Sequence, residues 1–83
     1  MLREEHRANL RDLVAYIAQE LVDRPEEVRV TQVRGTQATI IRLRVAPADK
    51  GWVIGRKGRV ANAIRSLLRV AAPSNRHIVL EIL

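Results

Sequence analysis

Val53-Ile54-Gly55-Arg56-Lys57-Gly58-Arg59-Val60 decides how this chain folds. An apolar pair is followed by two glycines that bracket two cations, then by a third cation and the start of an apolar period. The first glycine suits the backbone conformation that closes a helix. The second lets a neighbouring backbone approach with no side chain in the way. A helix beginning there carries unpaired amides and the positive end of a dipole, which suits phosphate. Arg56 and Lys57 project from the turn, and Val53 and Ile54 beside it can floor a groove that accepts bases. A bare Gly-x-x-Gly is a weak signal, since any tight turn can hold one, and the bland alternative is a helix–helix turn with a solvated charge pair.

The flanking periods supply the context. Downstream, Val60, Ile64, Leu67, Leu68 and Ala71 form one stripe on a helix over about 59–72, with Asn62, Arg65, Ser66 and Arg69 facing outward. Upstream, Ala46-Pro47-Ala48-Asp49 opens a short helix over about 47–54, with Pro47 in its first turn and Asp49 as a helix-start residue. Before that, strands over about 28–34 and 38–45 are joined by Arg34-Gly35-Thr36-Gln37, a connection short enough to force an antiparallel hairpin. In the second strand Ile41, Leu43 and Val45 share one face, and Ile40, Arg42 and Arg44 the other.

At the start of the chain, Leu10, Leu13, Val14, Ile17, Ala18 and Leu21 draw an apolar stripe on a helix over about 4–22. Glu4 and Glu5 suit its start, and Asp23-Arg24-Pro25 ends it. Pro73-Ser74-Asn75 reads as a loop and 77–83 as a last strand. The order α-β-β-α-α-β predicts a two-layer α/β sandwich, one domain over 1–83. The last two strands are expected as parallel neighbours across a helical crossover, with the second strand central.

The net charge of +6 is unevenly placed. Residues 1–27 hold four basic and seven acidic groups, a net of −3, whereas 28–83 hold eleven basic groups against Asp49 and Glu81, a net of +9. A basic surface after the first helix favours a polyanionic partner, nucleic acid first among them. With no cysteine, disulfides, thiolate metal sites and cysteine nucleophiles are excluded. No run is long enough to span a bilayer and no secretory signal follows Met1, so a cytoplasmic protein without membrane attachment is expected.

Taken together, the element order and Ile54-Gly55-Arg56-Lys57-Gly58-Arg59 at the helix–helix turn resemble a type II KH domain over nearly the whole chain. The stretch from Val45 to Gly55, Arg59, the run Ala63-Ile64-Arg65 and the ending Ile78-Val79-Leu80-Glu81-Ile82 resemble the small bacterial single-KH proteins of the KhpA type. The resemblance implies a three-stranded mixed sheet with three helices on one face. It also implies a cytoplasmic single-stranded RNA-binding protein, acting as RNA chaperone or post-transcriptional regulator linked to cell elongation and division. The partners it implies are a second copy of the chain, as a homodimer, or a larger Jag-type (KhpB/EloR) RNA-binding protein, as a heterodimer. KH domains clamp about four nucleotides. By position, Gly55 and Gly58 shape the loop, Arg56 and Lys57 flank the RNA backbone, Val53, Ile54 and Ile64 floor the groove, and Arg59, Asn62 and Lys50 assist. Trp52 departs from the pattern, where a polar or basic residue is expected. Base stacking, a dimer interface and partial burial against the neighbouring helix are its open readings.

Other classes fit less well. His6 and His77 are far apart in sequence, with no catalytic set or metal-ligand cluster around them, so neither an enzyme nor a cofactor or metal site is expected. The P-loop pattern fails because Arg59 follows Gly58. An RNA-recognition motif stacks bases on sheet aromatics, whereas this chain has no Phe, a single Tyr and a single Trp, in a different element order. The alternative kept open is an interaction or dimerisation module with weak RNA affinity, using the acidic first helix, Ile40 or Trp52.

Overall fold

The computed structural model describes residues 9–72 and 76–83. Helix α1 spans Leu10–Leu21, β1 Arg29–Arg34, β2 Ala38–Arg44, α2 Lys50–Ile54, α3 Arg59–Ala71 and β3 His77–Ile82. Short 3-10 turns cover Pro25–Glu27, Pro47–Asp49 and Arg56–Gly58. The order is α-β-β-α-α-β, and the sheet runs β1-β2-β3 with β1 antiparallel and β3 parallel to the central β2. This is the expected two-layer α/β architecture, of the type II KH kind.

Alternation along β2 sets the two faces of the sheet. Thr39, Ile41 and Leu43 are buried, while Arg42 and Arg44 are exposed. Ile41 and Leu43 join Leu10, Val14 and Ala18 of α1, Val53 of α2, Ile64 and Leu68 of α3, and Leu80 of β3 in one apolar cluster. On the outward face Arg42 pairs with Glu81 directly across the β2–β3 register, Nε to Oε1 at 2.9 Å.

Several local expectations change. Asn9 is non-helical and accepts a hydrogen bond from the Asp12 amide at 3.3 Å, so α1 begins at Leu10. The expected helix over residues 4–8, with Glu4 and Glu5, and the Pro73-Ser74-Asn75 loop lie outside the described residues. The helix expected over 47–54 divides, because Pro47 starts a tight turn closed by Asp49 N–H to Ala46 O at 2.8 Å before α2 begins. Asp49 does not cap α2. It is 2% exposed, and its Oδ2 accepts from the Arg24 amide at 3.1 Å, tying the exit of α1 to the entry of α2.

In α3, Ile64 and Leu68 are buried, but Leu67 and Ala71 of the expected apolar stripe are exposed. Arg65 does not simply face outward. It donates to Leu80 O on the edge strand and to Asn62 Oδ1, both at 3.2 Å, covering a carbonyl to which no further strand donates. Among the described residues no helix is long and apolar enough to cross a membrane, and no cluster of three or more His, Asp or Glu is placed to hold a metal.

Candidate nucleic-acid interface

Between α2 and α3 the chain reverses through Gly55-Arg56-Lys57-Gly58. Three of these four residues have positive φ: Gly55 at 77°, Lys57 at 57° and Gly58 at 75°. Gly55, with ψ 167°, occupies a region that only glycine enters readily, while Lys57 and Gly58 are left-handed helical, with ψ 25° and 14°.

Packing separates the two glycines further. A Cβ on Gly55 would lie 2.5 Å from Val60 Cγ2 and 2.8 Å from Val60 N, so α2 and the first turn of α3 meet there with no room for a side chain. A Cβ on Gly58 would meet only Asn62 Nδ2, at 3.9 Å. The close backbone approach expected at the second glycine is therefore at the first. Gly58 is required for its φ and looks onto open space.

The hydrogen-bonding of the elbow also differs from the sequence reading. Gly55 N–H donates to Gly51 O at 2.8 Å, Gly58 N–H to Gly55 O at 3.0 Å, and Arg59 N–H to Arg56 O. The amides expected to be bare at the start of α3 are thus spent in part on a 3-10 turn. Among the described residues, it is the Arg56 and Lys57 N–H groups, at the tip, that have no intramolecular acceptor. Two adjacent donors in a turn form an anion-binding concavity, and here each carries its own cationic side chain.

Those side chains are exposed, as are Lys50 and Arg59, and none of the four takes part in an ion pair among the described residues. The interface is a cluster of uncompensated positive charge around free backbone donors. Such a cluster attracts phosphate.

A family model for the KH domain of KhpA and KhpB matches residues 11–82. The chain belongs to the KhpA/KhpB family of KH domains. It is 45% identical over 75 residues to a protein of Clostridium perfringens, covering 89% of this chain and 100% of that one. To a Clostridium acetobutylicum protein it is 47% identical with the same coverage, and to one of Aquifex aeolicus 45% identical, covering 89% and 95%. Each of the three bears the name RNA-binding protein KhpA. No solved structure matches.

The KH elbow thus brings Lys50, Ile54, Gly55, Arg56, Lys57, Gly58, Arg59 and Asn62 to one exposed region, with Ile54 offering apolar surface and Asn62 beside Gly58. Two expected floor residues lie deeper. Val53 is 0% and Ile64 2% exposed, both within the core cluster, because each faces the sheet from its helix. Trp52 is mostly exposed, 59% on α2, three residues before Gly55. The free donors of Arg56 and Lys57 were invisible in sequence, because which amides a turn consumes depends on whether it closes as 3-10 or α.

Proposed function

We propose that this KhpA/KhpB-family protein binds single-stranded RNA by holding its sugar–phosphate chain at the Gly55–Gly58 elbow. The observation that carries this reading is the pair of free amides at Arg56 and Lys57, set among four exposed cations. About four nucleotides fit a KH elbow and groove. Arg56 and Lys57 contact the backbone, Lys50, Arg59 and Asn62 flank it, and bases lie against Ile54 above Val53 and Ile64. The name RNA-binding protein carried by the relatives supports the same reading. In the cell this activity is that of an RNA chaperone or post-transcriptional regulator in the cytoplasm, linked to elongation and division.

Association with a second copy, or with a Jag-type (KhpB/EloR) protein, belongs to the same proposal. Exposed Leu67 and Val70 on the outer side of α3, one helical turn apart, support an apolar contact of that kind. The test is binding of a short single-stranded RNA over a range of salt. Affinity falls with a log–log slope of about −0.7 per phosphate engaged, so three or four contacts give a slope between about −2 and −3. Absence of binding at low salt overturns the RNA reading and leaves an interaction module.

A further inference from the structure

We propose that Trp52 is a base-stacking platform, so that this elbow holds RNA by one aromatic contact in addition to its phosphate contacts. The inference rests on the elbow being the RNA site. It concerns a residue the backbone contacts do not use.

Trp52 and Tyr16 are the only aromatic residues, both are largely exposed, and their surroundings are opposite. Tyr16 lies on α1 with Asp12 four residues before it and Glu20 four residues after, so acids share its face of the helix and repel a polyanion. Trp52 lies on α2, two residues after Lys50 and four before Arg56, with Lys57 and Arg59 beyond, none of them ion-paired among the described residues, and the one acid nearby in sequence, Asp49, is buried and accepts from the Arg24 amide.

Position on the helix completes the case. Val53 points into the core, so Trp52 and Ile54, about 100° to either side of it, are the apolar surface that α2 presents to solvent. With about 1.5 Å of rise per residue, Trp52 begins about 4.5 Å along the axis from Gly55, within one nucleotide of a backbone clamped at the elbow. No hydrogen bond among the described residues uses its indole N–H. A large planar ring, unburied and set in a field that attracts phosphate, is the arrangement by which single-strand binders stack bases regardless of their identity.

Trp52 is the sole tryptophan, so intrinsic emission reports on this one position. The probe is a dye-labelled single-stranded oligoribonucleotide of about eight nucleotides, twice what one KH groove holds, with an abasic oligonucleotide of the same length as its counterpart. Anisotropy follows binding and emission follows stacking. The expected result is quenching that saturates in parallel with anisotropy on the RNA and is lost on the abasic chain. W52A weakens RNA binding about ten-fold with its salt slope unchanged, and W52F recovers most of the loss. Circular dichroism of W52A remains that of the wild type, as the ring is solvent-exposed.

If RNA binds with a normal salt slope while emission is unchanged, or W52A binds as tightly as wild type, the stacking role is overturned and the elbow reading stands. If W52A instead loses self-association at full RNA affinity, Trp52 is a protein contact and the proposal is equally overturned. If the wild type binds no RNA at low salt, the elbow reading itself has failed.

Discussion

Gly55 and Gly58 begin and end one four-residue elbow and have φ values within two degrees of each other, yet they are held there by different forces. Gly55 is a crowded joint: its ψ of 167° belongs to a glycine-only region, and Val60 occupies the space a side chain would need. Gly58 is a rim, left-handed and open, touching nothing that a small side chain would displace. One motif therefore joins a position that assembles two helices to a position that faces open space. Substitutions at its two ends should report on different properties, stability at one and RNA affinity at the other.

The largest effect is expected at the joint. Gly55→Ala incurs backbone strain of about 1–3 kcal/mol and overpacking of a similar size, about 1–3 kcal/mol. The sum is a large share of the stability typical of a domain this small. A urea titration followed by circular dichroism should show a sharply lower midpoint. A midpoint within error of wild type would mean that α2 and α3 can separate at Val60, and the distinction between joint and rim would disappear. It follows that a double substitution of both glycines is a poor test of RNA contact, because it mixes unfolding with loss of the site.

Gly58→Asp tests the rim alone. Aspartate tolerates the left-handed region better than most residues, so the stability loss should be about 1 kcal/mol. The added carboxylate stands beside Arg56 and Lys57, where it repels phosphate. RNA affinity at low salt should drop by at least about ten-fold, the equivalent of roughly 1.4 kcal/mol, while the urea midpoint moves little. Equal RNA affinity in this variant would place the ligand elsewhere on the molecule.

The contrast also marks how far sequence alone could reach. Period-2 alternation placed Ile41 and Leu43 inward, and the crossover rule made β2 central and β3 its parallel neighbour. Such patterns are legible because burial acts on every residue of an element at once. The glycine pair was legible as an elbow but not in its division of labour, since the crowding at Gly55 is created by Val60, five residues on and in another helix. Asp49 misled for a similar reason: the amide it accepts from belongs to Arg24, at the far end of α1. The same locality hid the exposure of Trp52, since a helix of five residues leaves its flanks to whatever packs beside it.

Lys57 stands between the two glycines and gives the smallest effect, in two separable parts. Its φ of 57° makes it the one non-glycine residue with positive φ among the described residues, at a cost of about 1 kcal/mol. Lys57→Gly removes that strain but adds freedom to the unfolded chain, so a net stabilisation of about 0.5 kcal/mol is expected. Lys57→Gln keeps an unbranched side chain with the same left-handed cost and removes only the charge. Both variants should lower the magnitude of the salt slope by about 0.7, one phosphate's worth, and weaken binding alike for all sequences. Only the glycine variant should also raise the urea midpoint. If glutamine and glycine stabilise equally, the gain comes from relief of charge repulsion among Arg56, Lys57 and Arg59. If neither changes the slope, the Lys57 side chain does not neutralise phosphate and the ligand at the tip is held by its amide.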